Sequence, residues 1–292
     1  MTAENLRRNA RIAASALASL GLKNRLTLTH GSGPQIGLLA LQNASYAPVA
    51  GYPLDILDAE VEGMIGYVIE HELRNLLPSG TRIATLLTQI EVDPSDPAFA
   101  NPDKPIGPRY DETEARQLAG QNDWRLVSDG KQFRRAVASP APKQILQMDS
   151  IKSLLASDTV VICAGGGGIP VVRGKDGAFS GIEAVIDKDA ASALLARELN
   201  AEAFLMLTDV DAVWQEWKKP SGRRIRRISS CALRQMEFEA GTMAPKVAAA
   251  CDFIKAGGDI AGIGGLEDAQ AILSGTAGTL VLPGKVETVY WN

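Results

Sequence analysis

The chain has 292 residues, 46% hydrophobic and 22% charged, with a formal net charge of −4. This is ordinary globular composition for one large α/β domain or two smaller ones, and its mildly acidic balance gives no electrostatic basis for binding nucleic acid. No apolar run reaches the roughly 20 residues of a membrane helix, and the first residues show no apolar core followed by a cleavage site, so the expectation is a soluble, cytoplasmic protein.

Residues 3–20 place Leu6, Ile12, Ala13, Leu17 and Leu20 near a helical period, and Gly21 can close that helix. A short strand at 25–29 runs into His30-Gly31-Ser32-Gly33-Pro34, and a helix follows from Gln35. Residues 55–77 read as a long helix ended by Pro78-Ser79-Gly80, and 83–87 as a β-type run. Residues 92–110 then carry five prolines and cannot form a continuous helix or a central strand. With a second proline cluster at Pro140 and Pro142, the stretch 92–142 reads as an excursion from the main sheet, a protruding subdomain inserted within one domain spanning 1–292. Ile106, Tyr110, Trp124, Phe133 and Val137 give it apolar material to pack.

Alternation resumes with a helix around 144–156, a strand at 159–163 and the run Gly165-Gly166-Gly167-Gly168-Ile169-Pro170. Val185 to Asp189 leads into a helix at 190–199, followed by a strand at 204–207 and a helix at 246–256 stopped by Gly257-Gly258. A strand at 260–263, a helix at 267–273 and a strand at 279–282 complete the chain. Strands alternating with helices imply an α/β fold, an open and mostly parallel sheet sandwiched by helices.

In such sheets ligands gather where strand ends lead into helix N-termini. Two glycine loops stand at such places, 30–35 and 164–170; neither has the spacing of a P-loop or of a dinucleotide-binding fingerprint. Each alone is a tight turn or a ligand cradle. Lys246 falls in the first turn of its helix, which is unfavourable by roughly 0.3–1 kcal/mol unless an anion lies nearby. Lys188 stands between Asp187 and Asp189 just before a helix; Asp189 reads either as a plain N-cap or as a functional acid. Lys104 alone reads as a solvated loop charge. Arg223-Arg224-Ile225-Arg226-Arg227 reads as an exposed loop rather than a nucleic-acid patch, and Trp214 and Trp217 either flank a base or pack. His30 orients backbone, and His71 is structural. Cys163, Cys231 and Cys251 are odd in number and widely spaced, as in a reducing compartment; Cys163 has no partner histidine in the sequence, and no Cys/His spacing suggests zinc.

Taken together, HGSGPQIG (30–37), YPLDILDAEVEGMIGY (52–67), DPAFANPDKPIGP (96–108), RRAVASPAP (134–142), VVICAGGGGIPVV (160–172), EAVIDKDAASALLA (183–196), LTDVDAV (207–213), GTMAPKV (241–247) and GTAGT (275–279) resemble the carbamate kinases of the amino acid kinase family. The likeness runs over 2–282, and the proline-rich excursion is peculiar to that group. It implies phosphoryl transfer from carbamoyl phosphate to ADP, giving ATP and carbamate, with Mg²⁺ accompanying the nucleotide and a homodimeric assembly using the 55–77 helix. A related carboxylate or carbamate kinase, or a catalytically inactive nucleotide-binding homologue, are the alternatives. Carried over by motif, Lys188 and Lys246 would contact phosphates, Asp189 would position these lysines, and Lys104 would reach the carbamoyl phosphate end. Gly31, Ser32 and Gly33, with Gly165, Gly166 and Gly167, would supply backbone donors. Asp209, Val213, Met243 and Pro245 would lie near the nucleotide base, and no protein ligand to the metal is assigned. Family members open on a strand and a Gly-Gly-Asn-Ala loop, whereas Met1 to Asn5 here match the linker after it. For a truncated chain, the expectation is a sheet lacking an interior strand, poor stability and weak or no turnover.

Overall fold

The computed structural model describes residues 2–45, 51–238 and 243–292, with Ser19 described by its backbone alone. Gly241 and Thr242, the first residues of the GTMAPKV motif, lie outside the described residues. The chain forms two compact units, one built mainly from Thr27–Glu70 and Arg82–Ala191, the other from Arg7–Leu26, His71–Thr81 and Ser192–Asn292. Among the described residues no helix is long and apolar enough to cross a membrane.

In the first unit, Thr27–Leu28, Val160–Ile162 and Ile83–Thr85 form a three-stranded parallel sheet with Val160–Ile162 in the middle. The central strand is a run of Val and Ile buried throughout, as both-face coverage requires. A second sheet pairs Gln89–Val92 with Ile169–Arg173 in parallel and closes on antiparallel edges, Phe179–Gly181 and Pro142–Ile145. The helix expected around 144–156 therefore starts only at Met148, because Pro142–Ile145 is taken up as an edge strand.

The proline-rich stretch is ordered. Lys104–Tyr110, Gln132–Val137 and Arg125–Asp129 make an antiparallel sheet, with the helix Glu112–Asn122 between strands. Asp111 starts that helix by accepting from the Glu114 amide at 2.9 Å. Pro105 and Pro108 lie on Lys104–Tyr110, an edge strand, where a missing N–H costs no ladder bond. Val92 pairs with Pro142, so the two ends of the excursion meet on one rung. Its inner face enters the core: Ile106 and Val137 pack with Ile36, Leu54, Leu57, Val61 and Val185. At Gly37 a Cβ would collide with the backbone of Gly107, so helix Gly33–Ala44 approaches this strand as closely as glycine allows.

The second unit carries a mixed sheet in the order Ala203–Thr208, Ile260–Gly265, Thr279–Leu282, Arg223–Ser229, Trp214–Gln215, with Val289–Tyr290 also pairing with Arg223–Ser229. Its core is apolar, built on Phe204, Phe253, Ile225, Ile228, Val247 and Ile263, with the two phenylalanine rings edge to face at 5.6 Å. The arginine run expected as a loop is thus a sheet strand. Ile225 and Ile228 are fully buried, while Arg223 stacks on Tyr290, Arg226 lies over Trp291 and Arg224 pairs with Asp211 at 3.1 Å. Guanidinium stems and aromatic faces let the strand keep its charges at the surface.

Candidate active site

The site begins with two parallel neighbours. Leu28 is in register with Ile162, so the strands Thr27–Leu28 and Val160–Ile162 deliver their following loops side by side. The Cys163 amide donates to Leu28 O at 3.0 Å and the Gly166 amide to His30 O at 2.7 Å, tying the two glycine loops together. Gly165 must be glycine because any Cβ would collide with the His30 ring, and Gly167 because its φ of 113° and the carbonyl of Ile186 exclude one. Ser32 lies over Gly166, and Gly33 opens helix Gly33–Ala44. His30 is half-buried, with Nδ1 3.3 Å from Gly31 O and Nε2 shielded from solvent; desolvation lowers its pKa to about 4, which keeps the imidazole neutral. Cys163 is buried too, and that burial pushes its thiol pKa far up, so a thiolate is disfavoured.

Beneath the second loop sits Glu62, 1% exposed on helix Leu54–Leu76. Its Oε1 accepts from the Gly165 amide at 2.9 Å and its Oε2 from the Thr88 amide at 3.0 Å. Thr88 Oγ1 accepts in turn from the Ala164 amide at 2.9 Å and donates to Leu86 O at 3.1 Å. Burial raises the Glu62 pKa to about 7 against the pull of these hydrogen bonds. One turn earlier, Asp58 is also buried, and among the described residues its Oδ2 has no hydrogen-bond partner. Burial, then the charges of Glu62, Asp55 and Glu183, hold its carboxyl well above the usual range, with Lys104 opposing.

Two lysines of this unit, Lys188 and Lys104, come together through neighbouring aspartates. Lys188 is the first residue of helix Lys188–Glu198; its stem runs beside Gly31, and Nζ lies 3.3 Å from Asp189 Oδ2. Asp189 is therefore Lys188's partner and not the helix cap. That role falls to Asp187, whose Oδ1 accepts from the amides of Asp189 at 2.9 Å and Ala190 at 3.1 Å. Its Oδ2 receives Lys104 Nζ at 2.8 Å, which brings the excursion's lysine to the same place. Burial works against the Asp187 charge, but Lys104 and the cap bonds outweigh it and hold the carboxyl below its usual value. A cation beside the first glycine loop, where a strand end leads into a helix N-terminus, is an arrangement suited to an anion such as a phosphoryl group.

Residues 2–262 match the model of the amino acid kinase family. The chain is 50% identical over 281 residues to a carbamate kinase of Haemophilus influenzae, covering 96% of this chain and 91% of that one. It is 49% identical to a carbamate kinase of Rhizobium meliloti, covering 96% and 87%. The chain belongs to the carbamate kinase group of the amino acid kinase family. A solved carbamate kinase from Giardia lamblia, bound to AMP-PNP, superposes with a TM-score of 0.87 at 37% identity, covering 97% of this chain and 93% of that one. The α/β fold expected from the sequence is that of the family.

The family's remaining motif residues lie in the second unit. Lys246 is buried in the first turn of helix Met243–Lys255, Pro245 stands in the same turn, and Met243 packs against the apolar core. Asp209 is exposed and accepts from Thr208 Oγ1 at 3.0 Å. Val213 is fully buried in the core, with its N–H donated to Thr279 Oγ1 and its C=O accepting from Ile225. Of the tryptophans, Trp214 stacks edge to face with Trp217 at 5.2 Å and donates Nε1 to Asp211 at 3.0 Å.

Sequence reasoning missed Glu62, Thr88, Asp58 and Asp187. The first and third carried a signal: Asp58 and Glu62 recur with Leu54, Leu57, Val61 and Ile65 on the inward face of one helix. A carboxylate on an apolar face is a candidate functional group.

Proposed function

We propose that this chain catalyses reversible phosphoryl transfer between carbamoyl phosphate and ADP, giving carbamate and ATP. The observation that carries the reading is the convergence of two glycine loops with Lys188, Asp187 and Lys104 in a chain half identical to a known carbamate kinase. In the reaction the bond from phosphorus to the carbamate oxygen breaks and a bond to the β-phosphate oxygen of ADP forms. The protein need only hold these anions in line and neutralise the charge on the transferring group.

In this reading the N–H groups of Gly31 to Gly33 cradle phosphate oxygens, while Gly165 to Gly167, whose own amides are bonded to Glu62, His30 O and Ala164 O, let the substrate come close to the backbone. Lys188, steered by Asp189, supplies positive charge beside them. Lys104, held at 2.8 Å by Asp187, serves the carbamoyl end, where a substrate oxygen competes with that carboxylate for the ammonium. Lys246, with Asp209, Met243 and Pro245, serves the nucleotide. A buried lysine in the first turn of a helix fits a neighbouring polyphosphate, which offsets both its desolvation and the macrodipole. Val213 contributes shape from within the core rather than a direct contact.

Mg²⁺ belongs to this chemistry as the companion of the nucleotide. It would be held chiefly by the substrate's own phosphates, since both oxygens of Asp187 are engaged by the cap amides and by Lys104 and Asp189 is paired with Lys188. When bound, it neutralises charge on the phosphate oxygens. The excursion at 92–142 acts as a lobe that carries Lys104. A homodimer is supported by the exposed Ile56, Met64 and Tyr67, which share one face of helix Leu54–Leu76, with Leu87 exposed nearby in sequence to Thr88. A cytoplasmic setting fits the unpaired cysteines.

The test is ATP formation from carbamoyl phosphate and ADP. Lys188→Ala and Lys246→Ala should each lower kcat/KM by roughly 100-fold or more, as for lost charge stabilisation in phosphoryl transfer. Unchanged turnover in both variants would sink the site assignment, and a folded wild type that forms no ATP would sink the substrate assignment.

A further inference from the structure

We propose that Glu62 is a positioning residue for phosphoryl transfer, its carboxylate fastening the second glycine loop to the turn at residues 86–88. The inference rests on the reading above that this loop lines the phosphate site.

The geometry is that of a clamp between stretches far apart in sequence. One oxygen of Glu62 takes the Gly165 amide at 2.9 Å and the other takes the Thr88 amide at 3.0 Å. Thr88 closes the arrangement by accepting from the Ala164 amide at 2.9 Å. Both partners of Glu62 are N–H donors, so the pair is satisfied only by a group with two acceptor oxygens. A carboxylate is such a group. A carboxylic acid or a primary amide sets a donor against a donor on one side. The loop also needs an outside hold: Ala164 is left-handed at φ 50°, and within the turn only the Gly167 to Ala164 (3.2 Å) and Gly168 to Gly165 (3.0 Å) bonds close it.

Charged and titratable neighbours are few. Asp58 lies one turn away on the same helix, the Cys163 thiol stands at the end of the central strand, and the neutral His30 ring covers Gly165. Lys104, Asp55 and Glu183 act on Asp58. Burial pushes the Glu62 pKa up to about 7, so the clamp is formed above neutral pH and released as pH falls through that value.

The experiment uses the full chain as wild type, Glu62→Gln and Lys188→Ala. Peptide-level hydrogen exchange over 86–90 and 160–168 reads the clamp directly, and steady-state kinetics with carbamoyl phosphate and ADP read its effect. Glu62→Gln should speed exchange in both peptides and raise the KM for carbamoyl phosphate about tenfold while kcat stays within about threefold. In the wild type that KM should climb as pH drops through about 7, and in Glu62→Gln it should stay flat. If the variant fails to fold, the wild type still decides: exchange in both peptides, corrected for its intrinsic pH dependence, must rise as pH falls through the same value. Unchanged exchange in Glu62→Gln, or unchanged kinetics while Lys188→Ala is inactive, overturns the clamp alone. Turnover that Lys188→Ala leaves unchanged overturns the site reading, and this inference with it.

Discussion

Both units have apolar cores, and they differ in what is buried beside them. In and around the glycine loops of the first unit lie Ser32, Asp58, Glu62, Thr88 and Asp189, all buried. The second unit closes over Phe204, Phe253, Ile225, Ile228 and Ile263, a core of rings and branched chains. An apolar core is indifferent to pH and tolerates change by volume, whereas buried carboxylates bind stability and loop geometry to protonation. A folded core alone would not need the first arrangement. Its presence marks where the chain spends stability on holding a loop in one shape.

That contrast can be broken in graded steps. The largest stability effect should come from Phe253→Ala, which removes a ring packed against Phe204 and should cost about 3–5 kcal/mol. Denaturant unfolding at several pH values checks it, and the loss should be the same at each. A loss that varied with pH would erase the distinction between the two interiors.

Asp58→Asn should act in the opposite direction. The folded state raises this carboxyl well above its ordinary value of 3.8, so above that value the fold holds a proton the unfolded chain has released. Wild-type stability from this group is therefore full in acid and drains away as pH rises. The asparagine keeps the shape without the titration, so its melting temperature should exceed the wild type's by a margin that widens with pH. Comparing melts above pH of about 7 separates this slope from that of Glu62, which is by then ionised. A constant margin would mean that Asp58 has found a partner.

Arg109→Ala should produce the smallest change. Its pair with Asp129 spans 2.8 Å at the surface, with the arginine side chain 60% exposed, so about 0.2–1 kcal/mol is at stake. Added salt should shrink even that difference.

Much of this was legible in the sequence because it is local. The helices Ala3–Gly21 and Leu54–Leu76 follow from apolar period and terminal punctuation, and the two glycine loops stand out by composition. Lys188, Lys104 and the loops belong to one unit, with Lys188 beside Gly31 and Lys104 on Asp187. What stayed hidden depended on partners distant in the chain. Glu62 shows in sequence only as a carboxylate on an apolar helix face, and its role appears when residues 88 and 165 arrive at its two oxygens. Asp187 and Asp189 flank one lysine symmetrically in sequence, and only the backbone turn decides which of them caps the helix. Arg223–Ser229 hid its strand because four arginines mask two buried isoleucines, and the rings that accept those cations stand more than 60 residues later.

The meeting of Val92 with Pro142 on a single rung has a consequence for how this protein could have been assembled. A segment whose two ends already touch can be gained, lengthened or exchanged without moving the strands on either side. Ile106 and Val137 set the terms of such an exchange, since both are embedded among Ile36, Leu57 and Val61. Any replacement must bring two apolar side chains to refill that hollow, so the segment is portable at its neck and fixed at its sole.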